Sequence, residues 1–269
     1  MSLRVTRQGD GALPPLVLIH GWGFTAAAWD GWRPELATAY CLYDVALPGF
    51  AAEQPAAADQ AALDDLDALA DQLAAAIPLP ALWLGWSLGG TLAAAVAARH
   101  PAKVAGLLTL ACNPCFVARP DWPGLAPAAF DAFYRGIDSD APQTLGRFLL
   151  LQGQGDGAAK AVVRGLKPAL ATEAAPSALL AGLDRLAQDQ RDYFAALSIP
   201  RRYLFGDGDA LVPVTIAATP LLADHAQVIA GAGHALLISA RAAVLAALRQ
   251  LQADAQAMAR AEVPAGGPR

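Results

Sequence analysis

A short apolar run, Ala81–Leu84, leads into Gly85-Trp86-Ser87-Leu88-Gly89 and then into the Ala-rich stretch Thr91–Ala98. A strand that reverses into a helix over so few residues leaves room beside the turn only for small side chains, which the flanking glycines supply. The residue at the apex, Ser87, is left with a strained backbone and an exposed hydroxyl. Five letters of this kind recur by chance, so the constraint comes from the strand before and the helix after. A serine raised above a sheet in this way becomes a nucleophile only if a base can take its proton and a third group orients that base.

The rest of the chain repeats the alternation. Leu16–Ile19 ends at His20-Gly21-Trp22-Gly23, and Tyr40–Ala46 ends at Leu47-Pro48-Gly49-Phe50. Leu82–Gly85 and Val104–Ala111 are the next strand-like runs, and a weaker edge strand falls around Leu3–Gln8. Leu63–Ile77 carries leucines at helical spacing with acidic residues opposite. Strand signals resume at Arg202–Phe205 and Gln227–Ala230, before a closing helix at Ala240–Leu251. Alternation of this kind predicts an α/β protein with a mostly parallel central sheet and helices on both faces. With G-x-S-x-G at a strand–helix junction, the predicted architecture is the α/β-hydrolase fold.

From about Cys115 to about Tyr193 no strand-like run occurs, and helical segments are separated by Pro and Gly. The expected organisation is a core over 1–115, a helical cap inserted over 116–193, a second part of the core over 194–255 and a flexible tail over 256–269. Fraying is expected from about Ala253 onward.

Composition narrows the function classes. Hydrophobic residues make up 55% of the chain, but much of this is alanine, and no stretch approaches the ~18–20 apolar residues of a membrane span. The opening MSLRVTRQGD lacks the apolar region of a secretory signal, so a soluble cytoplasmic protein is expected. A net charge of −5 gives no general attraction to nucleic acid. Three cysteines, an odd number, argue against a disulfide framework. Cys112-Asn113-Pro114-Cys115 spells C-x-x-C but lacks a thioredoxin-like setting, and two buried thiols at a strand end are expected. No second cysteine pair or Cys/His cluster suggests zinc, so neither metal nor cofactor is expected. No apolar surface stripe stands out, and a monomer is expected.

In this fold the acid and the histidine follow the serine in that order, each on a loop at the carboxyl end of a strand. The loop after Arg202–Phe205 reads Gly206-Asp207-Gly208-Asp209-Ala210-Leu211-Val212-Pro213, and the loop after Gln227–Ala230 reads Gly231-Ala232-Gly233-His234. The pattern G-x-x-D-x-x-V-P, common at this place in the fold, selects Asp209 as the acid and leaves Asp207 as a turn aspartate or helper. His234 is the expected base. His20 falls where a histidine braces the oxyanion loop, His100 ends a helix, and His225 enters a strand from the surface. Acyl transfer also needs donors aimed at the developing oxyanion. The backbone N–H groups of Leu88 and Trp22 are the expected pair. The Trp22 side chain either walls an acyl pocket or packs beneath the cap.

Within the cap, Arg147, Lys160, Arg164 and Lys167 form a cationic cluster, the last three at i, i+4 and i+7 on one helical face. Such a stripe is a solvated face or a docking patch for an acidic partner. Phe148-Leu149-Leu150-Leu151-Gln152 lines the pocket or forms an ordinary buried helix face.

Taken together, these residues resemble the biotin-synthesis carboxylesterase family known as BioH. The likeness runs through Leu18-Ile19-His20-Gly21-Trp22-Gly23, Trp83-Leu84-Gly85-Trp86-Ser87-Leu88-Gly89-Gly90, Pro114-Cys115-Phe116 and Asp121-Trp122-Pro123-Gly124. It continues through Arg147–Gln152 and Asp209-Ala210-Leu211-Val212-Pro213, spanning about residues 16–235. The resemblance implies hydrolysis of the methyl ester of a pimeloyl chain carried on acyl carrier protein, releasing methanol. It further implies substrate contacts from Trp22, Ser87, Leu88, Phe148, Leu149, Leu150, Leu151, Gln152 and His234, and carrier-protein docking on Arg147, Lys160 and Arg164. The alternative is a generalist short-chain carboxylesterase or thioesterase on the same fold, or a C–C bond hydrolase. A non-enzymatic receptor on this fold would not need the complete Ser-His-Asp set. Two departures stand out: Ala46 and Ala51 occupy positions where the family pattern has Asp and Gly, and Gly153-Gln154-Gly155-Asp156-Gly157 reads as a very flexible cap stretch.

Overall fold

The computed structural model describes residues 3–50 and 65–262. Among these, seven strands form one sheet: β1 (Arg4–Gln8), β2 (Pro15–Ile19), β3 (Cys41–Ala46), β4 (Ala81–Trp86), β5 (Val104–Leu110), β6 (Arg201–Gly206) and β7 (Ala226–Ile229). Their spatial order is β1-β3-β2-β4-β5-β6-β7. β1 runs antiparallel to β3, and every other pairing is parallel. The central strands are unbroken apolar runs because helices cover a parallel sheet on both faces. Leu16, Val17, Leu18 and Ile19 of β2 are fully buried, as are Trp83 and Leu84 of β4.

The topology creates the place for a site. From β2 the chain steps outward to β3, then crosses to the other side of β2 to form β4. Loops leaving the carboxyl ends of β2 and β4 therefore diverge, and a crevice opens between them at the switch point. The register Ile19↔Gly85 and Trp86↔Leu110 brings the ends of β2, β4 and β5 to one level.

The helices are α1 (Arg33–Leu36), α2 (Leu66–Ala76), α3 (Leu88–Arg99), α4 (Pro127–Gln152), α5 (Ala159–Leu166), α6 (Pro176–Ala187), α7 (Arg191–Ala195), α8 (Leu236–Ser239) and α9 (Arg241–Glu262). α3 is buried on almost every face, and its alanines let it lie close to the sheet. The segment between β5 and β6 contains α4 to α7, with only isolated bridges there among the described residues. α4 and α6 begin with a proline in the first turn, where no amide hydrogen is needed. α4 also breaks at Asp140 (φ −157°, ψ 83°), two residues before Pro142, whose missing N–H cannot continue the ladder.

α9 continues to Glu262, beyond the point near Ala253 where fraying is expected from sequence. Its inner face supplies Val244, Ala247, Leu248 and Leu251 to the core, and Leu251 meets Gly106 of β5 where no larger residue would fit. Past Leu251, the Gln252 side chain accepts a 2.7 Å hydrogen bond from the Tyr40 hydroxyl, and Asp254 pairs with Arg202 at 2.6 Å. The expectations for the Ala51–Asp59 loop, for the start of the helix at Leu63 and for residues 263–269 lie outside the described residues.

Candidate active site

Ser87 stands at the end of β4 with φ 53° and ψ −121°, a left-handed backbone for a residue with a side chain. The turn is enforced by close approaches on both sides. A Cβ on Gly85 would meet Gly90 Cα at 2.5 Å and collide with the Gly89 carbonyl; one on Gly89 would meet the carbonyl oxygens of Ile19 and His20 at 2.5 and 2.6 Å. The Ser87 N–H donates to the Leu110 carbonyl at 2.8 Å, tying the elbow to the neighbouring strand.

The loops carrying Asp209 and His234 leave the ends of β6 and β7. His234 Nδ1 lies 2.8 Å from Asp209 Oδ2, and both side chains are 1% exposed. The second carboxylate oxygen, Oδ1, accepts the N–H groups of Leu211 at 2.8 Å and Val212 at 2.9 Å. Asp209 thus holds two backbone N–H groups on one oxygen and faces the His234 imidazole with the other. The indole N–H of Trp86 donates to the His234 carbonyl at 3.1 Å, so a residue inside the G-x-S-x-G motif also steadies the histidine loop. Asp207, by contrast, is exposed and accepts the Gly231 N–H at 2.7 Å, bracing the acid loop against the base loop.

The remaining histidines lie apart from this pair. His20 is fully buried, donates through Nδ1 to the Gly21 carbonyl at 2.9 Å and accepts the Leu47 N–H on Nε2 at 3.0 Å. Burial holds its pKa down to about 4, so it is a neutral brace beneath the Gly21–Gly23 loop. His100 pairs with Asp71 on the surface at 2.7 Å. His225 packs edge-on against Tyr203, and burial with nearby Arg201 lowers its pKa.

The loop carrying Trp22 lies directly against the serine: a Cβ on Gly21 would meet Ser87 Cβ at 3.3 Å. Leu88 opens α3, so its N–H has no carbonyl one helical turn behind it. The Trp22 side chain makes contacts on two sides. Its indole N–H donates to the Leu179 carbonyl of α6 at 2.8 Å, its ring meets Phe148 edge-on at 4.7 Å, and it also walls the cavity above Ser87.

That cavity brings together Ser87, His234, Trp22, Phe116, Phe133, Phe148, Leu183, Leu186 and Leu211. Its free volume is about 10 Å3, space for a single water. Ser87 and His234 are its only polar side chains among the described residues. Of the Phe148–Gln152 segment, only Phe148 reaches it. Leu149 is buried elsewhere and Leu150 faces solvent at 61% exposure. Leu151 is half-buried; Gln152 is fully buried and donates to the Phe148 carbonyl at 3.2 Å. Phe133, Leu183 and Leu186 carry no sequence motif that marks them, whereas Leu211 falls within the Asp209–Pro213 motif. The i, i+3 spacing of Leu183 and Leu186 shows only that α6 has an apolar face.

Arg147, Lys160, Arg164 and Lys167 are all exposed and make no ion pair with the described residues. Arg147 at the end of α4 donates to Gln143 at 2.6 Å, one turn before Leu150 emerges. No group of His, Cys, Asp and Glu among the described residues is arranged to hold a metal ion. No described helix is long and apolar enough to cross a membrane. The three cysteines are unpaired and buried, with the Cys112 thiol pushed up to about 12 by burial.

A sequence model of the Alpha/beta hydrolase family matches residues 16–248. A pimeloyl-[acyl-carrier protein] methyl ester esterase from Aeromonas hydrophila is 41% identical over 247 residues, covering 89% of this chain and 94% of the relative. Esterases of the same name from Sodalis glossinidius and a Shewanella species are 41% and 36% identical, covering 83% and 88% of this chain and 88% and 89% of their own. Among solved structures, an esterase from Exiguobacterium antarcticum superposes with a TM-score of 0.79 at 19% identity, covering 93% of this chain and 95% of that one. The esterase RhEst1 from Rhodococcus gives 0.75 at 24% identity, covering 94% of this chain and 100% of its own; at such identities the likeness establishes the fold. The chain belongs to the alpha/beta hydrolase family and, within it, to the BioH family of pimeloyl-[acyl-carrier protein] methyl ester esterases, and it is a carboxylic ester hydrolase.

Proposed function

We propose that this enzyme is a cytoplasmic serine carboxylesterase that hydrolyses the methyl ester of a pimeloyl chain carried on acyl carrier protein, a step of biotin biosynthesis. The observation that carries this reading is the His234–Asp209 pair meeting Ser87 on one apolar cavity. Asp209 keeps the imidazole proton on Nδ1 and leaves Nε2 free to take the Ser87 proton. The serine oxygen attacks the ester carbonyl, and the N–H groups of Trp22 and Leu88 receive the oxyanion. His234 then returns its proton to the departing methoxide, methanol leaves, and an acyl-enzyme remains. A water that loses its proton to His234 attacks the acyl carbonyl and frees the acid and Ser87.

An apolar cavity suits a methyl ester at the far end of an aliphatic chain. With room for one water (about 10 Å3), it admits that chain only as Phe133, Leu183 and Leu186 move apart. The exposed Arg147, Lys160 and Arg164, without ion pairs to the described residues, offer positive charge to an acidic carrier protein.

The test compares turnover of methyl pimeloyl-carrier protein with that of free short-chain methyl esters. Equal kcat/KM for both would favour the generalist carboxylesterase. In a biotin-requiring strain lacking its own esterase, the wild-type protein should restore growth and Ser87→Ala should not. Hydrolysis of p-nitrophenyl esters by Ser87→Ala at the wild-type rate would overturn the serine mechanism itself.

A further inference from the structure

Gly153-Gln154-Gly155-Asp156-Gly157 joins α4 to α5 and reads in sequence as a flexible stretch. In the structure these glycines serve close approach to other backbones. Gly155, at φ 77°, lies so near the Gly208 carbonyl that a Cβ on either residue would collide with the other's backbone. The Gly157 N–H donates to the Gly231 carbonyl at 2.9 Å. A Cβ on Gly233 would meet Asp156 Cβ at 3.1 Å and the Gln152 carbonyl at 3.2 Å. The three glycine-bearing loops, from the insertion, before Asp209 and before His234, are therefore interlocked.

Asp156 sits at the centre of this junction, 8% exposed. One oxygen, Oδ1, accepts the Ala158 N–H at 2.7 Å, a local turn that helps start α5. The other, Oδ2, accepts the Gly233 N–H at 2.7 Å, from a residue 77 positions away and adjacent to His234. The local turn accounts for the first bond and gives no reason for the second. A buried carboxylate that spends one oxygen on a distant backbone amide makes a short, charge-assisted and directional link.

We propose that Asp156 is a positioning residue for ester hydrolysis: through Gly233 it fixes where the His234 imidazole stands relative to Ser87. It does so from the junction of the two helices that carry Arg147, Lys160 and Arg164. This inference rests on His234 being the base.

The experiment measures p-nitrophenyl butyrate hydrolysis by Asp156→Ala and Asp156→Asn, with competent sites counted by a serine-directed phosphonate. For Asp156→Ala, kcat per competent site should fall between about 10- and 100-fold, the cost of a small misplacement of a catalytic group. KM should stay within about twofold, because substrate contacts are untouched. Asp156→Asn keeps one acceptor oxygen and should retain more kcat than Asp156→Ala. A loss confined to the number of competent sites, with kcat per site unchanged, would mean a purely structural role and would overturn the proposal. If Asp156→Ala does not fold, the near-isosteric Asp156→Asn decides alone: reduced kcat per site supports the proposal, and wild-type kcat per site overturns it. His234→Ala is the control that separates the two readings. Full activity in that variant sinks the triad assignment, whereas an inactive His234→Ala beside fully active Asp156 variants sinks only this inference.

Discussion

Exchanging Asp209 for asparagine tests the acid assignment with almost no change of shape. The amide has two possible orientations, and the structure selects between them. In one, its oxygen keeps the Leu211 and Val212 N–H bonds, at 2.8 and 2.9 Å, and its NH2 faces His234 Nδ1. In the other, the NH2 points at those two backbone donors, and each bond left unmade costs about 1–3 kcal/mol. The first orientation wins. An NH2 opposite Nδ1 demands an acceptor there, so the imidazole proton moves to Nε2, the nitrogen that must take the serine proton. Asparagine at the acid position of a serine triad lowers kcat by about 10^4, or about 5.5 kcal/mol of transition-state stabilisation. The assay is kcat for p-nitrophenyl butyrate at neutral pH, with thermal melting as a check that the fold persists. A folded Asp209→Asn enzyme retaining more than about 1% of wild-type kcat would refute the tautomer argument. Asp207→Asn is the matched control. Its amide oxygen still accepts the Gly231 N–H and nothing changes at His234, so kcat should stay within about tenfold; loss of activity in that variant alone would reassign the acid.

Other outcomes follow from the same contacts. Gly89→Ala forces a methyl group onto two backbone carbonyls, so it should cost about 3 kcal/mol and lower phosphonate labelling of Ser87; an unchanged melting temperature would contradict this. His20 is held neutral by burial, with its pKa lowered from 6.5 to about 4, so the unfolded chain binds the extra proton between those values. It contributes about 3 kcal/mol of stability above pH 6.5 that is lost as pH falls toward 4, and urea titrations at pH 7 and pH 4.5 should show a smaller difference in His20→Gln. Phe148→Ala removes a ring packed against Trp22, Phe24 and Phe133, and should destabilise by about 3–5 kcal/mol while widening the range of acyl esters accepted. Arg147→Glu combined with Arg164→Glu should raise KM for a carrier-linked ester, more so at low salt, and leave free methyl esters unaffected; an equal effect on both substrates would count against docking there.

Those parts of the site that are local in sequence were legible in sequence. The elbow around Ser87 and the loop carrying Asp209 follow the buried apolar stretches of β4 and β6, and the loop carrying His234 follows β7, a short edge strand marked only by Val228 and Ile229. The walls of the cavity were not legible. Phe148-Leu149-Leu150-Leu151 is apolar on every side of α4, so no periodicity separates Phe148, which faces Ser87, from Leu150, which faces water. Phe133, Leu183 and Leu186 reach the cavity through the way α4 and α6 pack against each other, information that no local pattern carries. Glycines are ambiguous in a different way. At Gly153–Gly157 they permit contact with two other backbones, and composition alone cannot distinguish contact from mobility. Beyond Leu251 the closing helix carries no large apolar stripe, and Gln252 and Asp254 tie its next turn to Tyr40 and Arg202 by polar contacts that no periodicity announces.

The lack of any cation in the cavity bears on what happens after the chemistry. An ester is neutral and loses little on leaving water for walls of Phe, Leu and Trp. The acid left behind ionises at neutral pH, and no described lysine or arginine lines that space to compensate for its lost hydration. Product and substrate differ by one methyl group in size but by a full charge in their welcome. The same walls that accept the reactant thus drive out what it becomes, and turnover should show little inhibition by accumulated acid.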